Sequence, residues 1–322
     1  MTRTSSIFKL SLAFVLIGIG LGTGNALGAE VDSFTGREKP LKDSLSTLNA
    51  KTGEFFQKGI ELANSKDEGC DEKVLYKSLR KFFNNQYRGD LGKYIVDAKD
   101  FDANWVTIEE SVYRDFKWFQ AFVPGFWGRV GSDPSAALIN IGGVYLGTDK
   151  FEHFMGSGFL YYRKNYIRGR GVRAALEIGE SAESGLMGAV TTGVKAFGDL
   201  SANFNGMRFW NHVLLKYDDV LGKEYNLGPY VSCVDDKWEQ VQEIDWSNYI
   251  DHSFDEAQNC SAFPTNKMMN LVLNRISELE VETNQDLTCP LNPEYLPSLE
   301  KKFGIYSKDI LNSNGHYALE EE

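Results

Sequence analysis

The chain has 322 residues, with 45 acidic against 34 basic side chains, a formal net charge of −11 and four cysteines. So acidic a chain repels nucleic acid at long range, which excludes that partner class. Its length suffices for a sizeable core in one domain, and no stretch after the first 28 residues reaches the ~20 consecutive apolar side chains of a transmembrane helix.

The N-terminus, MTRTSSIFKLSLAFVLIGIGLGTGNALGAE, carries Arg3 and Lys9, then an apolar run from Leu10 to Leu21, then small residues around Ala26 to Ala29. That order predicts a secretory signal peptide over 1–28 and a periplasmic location for the rest, soluble or membrane-peripheral. Loss of Arg3 and Lys9 takes the formal charge from −11 to −13. Residues 29–45 read as a flexible polar lead-in, and 46–322 as a single mainly helical domain. The fold class expected is mainly α, a helical bundle-like core with a short β-hairpin and an irregular C-terminal region.

Leu48, Phe55, Phe56, Ile60 and Ala63 share one face of a helix, and DEKVLYKSLRKFFNN repeats the period behind Asp71 as N-cap. A third helix is expected over WVTIEESVYRDFKWFQAF. Before it, DAKDFDANW imitates a calcium loop at Asp100, Asp102 and Asn104. Trp105 then stands at the glycine position and Ser111 at the glutamate position, so calcium is rejected. The aromatics Trp118, Phe119, Phe122, Phe126 and Trp127 surround Pro124-Gly125. They suit a buried packing segment or, alternatively, a loop that grips a membrane or ligand. ALINIGGVYLG predicts a hairpin turning at Gly142-Gly143.

Three helices are expected next, over 149–166, 173–196 and 199–217. In GTDKFEHFMGSG, Asp149, His153 and Ser157 recur every four residues on one face. Asp149 with Glu152 also fits a capping box, and Asp199 also fits an N-cap. Glu180 and Glu183 lie one turn apart in the middle segment. Gly185, Gly188 and Gly193 after them imply close approach of another backbone. Asn203 follows Asp199 by one turn, and if buried its amide needs partners. Beyond 220 the pattern is mixed, with a helix over 266–280, an acidic turn at Asp251, His252, Asp255 and Glu256, and a frayed acidic end. Cys70, Cys233, Cys260 and Cys289 are spaced too widely for a CxxC motif. They predict disulfides in one of three pairings, stabilising a C-terminal part over about 225–310.

DKFEHF at 149–154, a glutamate-bearing segment and DLSANFNG at 199–206 together resemble the VanZ-like and YfiM-like envelope protein family over residues 147–206. That family shows D-K-x-x-H-F, a middle glutamate and D-x-x-A-N-x-x-G. Asp149, Lys150, His153, Phe154, Asp199, Ala202, Asn203 and Gly206 match, and Glu183 is the better-spaced middle glutamate. VanZ-like helices are membrane-embedded, whereas these carry many charges. The resemblance implies a cell-envelope address and a polar helical core over about 147–217.

The candidate catalytic residues are His153 as base with Glu183, Asp149 and Asp199 as partners. Asn203, Lys150, Ser157, Arg168 and Arg170 are candidates for ligand binding. The two arginines belong to a basic patch with Arg163, Lys164 and Arg173 that suits phosphate or carboxylate. One histidine in place of an HExxH pair predicts no metal site, and the sequence leaves any cofactor open. The function expected is a hydrolase or transferase acting on a lipid-linked or peptidoglycan-derived envelope component, or on a membrane surface. The alternative is a non-catalytic binding or scaffold protein in which the same residues lock the helices together.

Overall fold

A computed structural model describes residues 30–116, 136–184, 189 and 192–321. The signal-peptide segment, the aromatics around Pro124-Gly125, and Gly185 and Gly188 lie outside these residues.

Helix α1 (Leu45–Asn64) buries Leu48, Phe55, Phe56, Ile60 and Ala63. Helix α2 (Glu72–Leu79) starts at Asp71, whose carboxylate accepts from Val74 N–H at 2.9 Å. A short α3 (Asp90–Asp97) follows. Strand β1 (Ala103–Asn104) pairs antiparallel with β2 (Leu138–Ile141), and β2 with β3 (Val144–Gly147). Gly142 and Gly143 take the positive φ that a two-residue connection needs. Residues 149–167 form one helix, α4, in which α-helical turns Asp149–Glu152 and Gly158–Tyr162 alternate with π-helical turns His153–Ser157 and Arg163–Ile167. Then come α5 (Gly171–Glu183) and α6 (Phe197–His212). β4 (Val231–Val234) pairs with β5 (Lys237–Gln240), and β6 (Ala262–Phe263) pairs in parallel with β7 (Tyr317–Ala318). α7 (Asn266–Thr283), capped by Thr265, and α8 (Leu296–Phe303) complete a mainly helical chain.

Helix α6 is the axis of the molecule, for all sixteen of its residues are buried. It meets α4 at backbone distance. A Cβ on Gly158 would lie 2.6 Å from Gly206 Cα, and one on Gly206 would lie 2.0 Å from the Phe154 carbonyl. Trp210 Nε1 donates to the Met155 carbonyl at 3.1 Å and further fastens the pair. The glycines that bring the helices together are therefore Gly158 and Gly206. Gly193 has φ +80° and sits in a turn instead.

Several expected elements differ. Residues 105–116 form turns rather than a helix, because Asp32 accepts from Val112 N–H at 2.9 Å and Val112 and Tyr113 pack into a second, smaller core. The middle helix ends at Glu183, and Lys195 pairs with Ala262 in extended conformation. The lead-in is anchored rather than flexible at its start: Val31, Asp32, Ser33 and Phe34 are buried. The C-terminus is docked, with Ala318 buried and paired to Phe263. Disulfides join Cys70 to Cys233 and Cys260 to Cys289. The second lies within the C-terminal third, and the first ties the α2 entry to β4. No helix among the described residues is long and apolar enough to cross a membrane.

Candidate functional site

Both capping expectations for the site aspartates fail, and that frees their side chains. Asp199 is the third residue of α6 rather than its N-cap, and Asp149 follows Thr148 at the start of α4 without capping it. Glu152 turns away and accepts from Gln86 N–H at 2.5 Å. Burial raises its pKa to about 7.

Lys150 is the hub. Its fully buried ammonium lies 2.6 Å from Asp149 Oδ2, 2.8 Å from Asp199 Oδ1 and 2.5 Å from Glu256 Oε1. Asp199 turns its other oxygen, Oδ2, to His153 Nε2 at 3.2 Å. His153 Nδ1 stands 3.9 Å from Glu183 Oε1, beyond hydrogen-bond reach, and has no hydrogen-bond partner among the described residues. Gly198 makes room for this crossing, since a Cβ there would sit 2.9 Å from Lys150 Cε and 3.0 Å from the Phe254 carbonyl. On the far side, the Tyr161 hydroxyl fills the notch at Gly179, where a Cβ would lie 1.7 Å from it, and Asn203 faces it.

The electrostatics are one-sided. Glu30, Asp149, Glu183, Asp199 and Glu256 surround one ammonium and one imidazole, all but His153 nearly sealed from solvent. Burial, reinforced by neighbouring carboxylates, holds Glu30 and Glu183 well above the usual carboxylate range. Burial likewise raises Asp149 against the pull of Lys150, and pushes Glu256 up to about 8. Burial works against the Lys150 charge, but the Asp149, Asp199 and Glu256 carboxylates hold its pKa well above normal. Asp149 Oδ1, Asn203 Oδ1 and Glu256 Oε2 find no hydrogen-bond donor among the described residues.

The structure thus gathers Asp149, Lys150, His153, Glu183, Asp199 and Asn203 from three segments. Ser157 is one turn further along α4, half-buried, and no hydrogen bond or ion pair among the described residues ties it to the cluster. Arg168 and Arg170 are exposed beyond the far end of α4, fifteen or more residues from His153, a span of roughly 20 Å at helical rise. Arg173 pairs instead with Asp309. Glu30 and Glu256 were not legible as members. The expected exposed acidic turn is corrected: Asp255 and Glu256 are buried, and Arg37 takes up Asp255. Two surface grooves, one between α1 and residues 240–245 and one beside Arg275, are lined by no residue of the cluster. The single feature that could have flagged His153 locally, the π turn it opens, has no sequence signature; such turns concentrate at functional sites.

No family model, no curated protein and no solved structure matches this chain.

Proposed function

We propose that this is an exported protein of the bacterial cell envelope, and that the His153–Glu183–Asp199 cluster performs hydrolysis or group transfer on a lipid-linked or peptidoglycan-derived component. The observation that carries this reading is the uncompensated acidic cluster itself. Five carboxyl groups crowd one ammonium in the core, with Glu30, Glu183 and Glu256 pushed by burial toward their neutral form, an arrangement that costs stability, and the cluster reaches solvent at His153, whose side chain is 12% exposed.

The address rests on the signal-peptide pattern, on two disulfides of the kind formed in oxidising compartments, and on the VanZ-like and YfiM-like motifs over 147–206. The exposed Arg168 and Arg170, with Arg163, suit an anionic headgroup or cell-wall fragment. Their distance from His153 gives them the role of holding the protein on its substrate surface rather than of contacting the reacting atoms. The scaffold reading is favoured by one observation, the Lys150 ion pairs that tie α4, α6 and the 256 segment together.

Paired substitutions separate the two readings. His153→Ala in a functional centre lowers the rate about 10²–10⁴-fold with near-native melting. Asn203→Ala removes a buried amide facing Tyr161 and costs roughly 1–3 kcal/mol. The measurement is thermal denaturation beside complementation of a deletion strain under envelope stress. Function that falls in both variants only as far as folded protein does would decide for the scaffold.

A further inference from the structure

We infer that His153, Glu183 and Asp199 together bind one divalent transition-metal ion of the zinc class. This rests on the reading of the cluster as a functional site, and it assigns that site its cofactor.

One donor atom from each of the three residues lies within 4.8 Å of the other two. His153 Nε2 lies 3.2 Å from Asp199 Oδ2, while Glu183 Oε1 lies 3.9 Å from the other ring nitrogen, Nδ1. A tetrahedral ion with bonds of about 2.0–2.2 Å holds its ligands about 3.3–3.6 Å apart, close to the Nε2–Asp199 separation, and Glu183 completes the set within the 4.8 Å limit. The three side chains come from three helices that the Gly158–Gly206 contact and the Tyr161–Gly179 contact hold in place.

Independent evidence comes from the oxygens around it. Asp149 is one turn before His153 on α4, 4% exposed, and its Oδ1 has no donor among the described residues. Asn203 is one turn after Asp199 on α6, 2% exposed, and its Oδ1 has none either. Buried polar groups beside the ligands are a general accompaniment of metal sites. Two carboxylates from the triad match the charge of a divalent ion. The neighbouring set Glu30, Asp149 and Asp199 is also close enough to be considered, but the Lys150 ammonium already stands at 2.6 and 2.8 Å from Asp149 and Asp199 and occupies that position.

An imidazole nitrogen with only two carboxylates does not suit calcium, which takes six to eight oxygens, or magnesium, which keeps most of its water. It suits zinc, manganese or ferrous iron, with positions left open for water and substrate. Bound there, the ion would supply a Lewis acid and an activated water. His153, the least buried of the three, marks the side from which the ion and its substrate enter.

The test uses the full mature chain, stripped with chelator and titrated with zinc by calorimetry, with metal content then measured after desalting. One equivalent should be retained by the wild-type chain and lost from His153→Ala and Glu183→Gln, with binding weakened at least tenfold in each. Arg168→Ala, at the distant end of α4, should bind as wild type does. Cobalt in place of zinc should give the visible absorption of a low-coordinate nitrogen–oxygen site in wild type and not in His153→Ala. Should Glu183→Gln fail to fold, His153→Ala alone with the cobalt spectrum still decides. Absence of zinc binding in wild type, or binding unchanged in His153→Ala, overturns the metal site. If wild type binds no metal and His153→Ala still abolishes envelope function, the metal is overturned while the functional site stands.

Discussion

At the C-terminal end of α6, Arg208 donates from Nε to both oxygens of Asp219 at 2.9 and 3.1 Å and from Nη1 to Asn205 Oδ1 at 2.7 Å. His212 places Nε2 2.9 Å from the same carboxylate and Nδ1 2.8 Å from the Tyr249 hydroxyl, which meets Tyr230 at 2.8 Å. At the N-terminal end, Asp199 is shared between Lys150 and His153 and is surrounded by further carboxylates. Both groups are buried in the same helix and built from the same side-chain types. One closes its charges, a guanidinium against a carboxylate, with a neutral imidazole that meets Tyr249 at Nδ1 and stands beside the carboxylate at Nε2. The other leaves acceptor oxygens without donors and reaches solvent. At the first end the cost of burying charge is offset by bonded partners; at the second, acceptor oxygens are left without them.

The largest expected effect lies at the balanced end. Asp219→Ala strands the Arg208 charge, which is 1% exposed, and should cost roughly 3–5 kcal/mol, lowering the melting temperature on the order of 10 °C. Near-native melting of that variant would erase the contrast. Lys150→Met should cost roughly 3 kcal/mol near pH 8, and much less near pH 5, because the remaining carboxylates can take up protons. Denaturant unfolding at both pH values checks this, and a loss independent of pH would count against a charge deficit. Gly206→Ala drives a methyl into the Phe154 carbonyl. About 1–3 kcal/mol should be lost, with function falling further than stability as His153 is levered from Asp199. Unaltered function would mean that the spacing of α4 and α6 is not critical.

The smallest effect is the most discriminating, for the two ends should answer pH with opposite sign. Burial holds His212 below its unfolded value of about 6.5. Its contribution is present above that pH and is lost as pH falls through the folded value. Asp219 behaves likewise at lower pH: despite burial, the His212 hydrogen bond and the Arg208 charge hold it below its unfolded value. Glu256 goes the other way. With a folded value of about 8, its contribution is complete below the unfolded value of about 4.3 and is lost as pH rises through 8. In chelator-treated protein, Glu256→Gln should flatten the alkaline decline in melting temperature by a few degrees and leave the acid decline unchanged. An unchanged alkaline limb would remove Glu256 from the cluster.

Much of the site was legible because helical spacing is a local property. Residues four apart share a face wherever the helix ends up, so Asp149 and His153, and Asp199 and Asn203, could be paired from the sequence. Glu183 needed the additional spacing of the family motifs. Glu30 and Glu256 were not legible, since nothing local separates a buried carboxylate from one in an acidic turn; Glu256 enters only because Gly198 lets the 254–256 backbone cross α6. The helix expected at 105–122 fails in its described part for a similar reason. Its apolar side chains are satisfied by docking into the second core, with Asp32, eighty residues away, taking the Val112 amide.

The sequence by itself determined the mainly helical class, the faces of α1 and α4, the one-turn spacing of Asp199 and Asn203 on α6, and the turn at Gly142-Gly143, all set by periodicity and backbone sterics over a few residues. Only the tertiary structure decided which cysteines pair, that Asp149 and Asp199 spend their carboxylates on Lys150 rather than on helix ends, and which of two histidine clusters is charge-balanced. Those outcomes depend on how many charges meet in one low-dielectric volume. That sum runs over residues 30 to 256, and no window of the chain contains it.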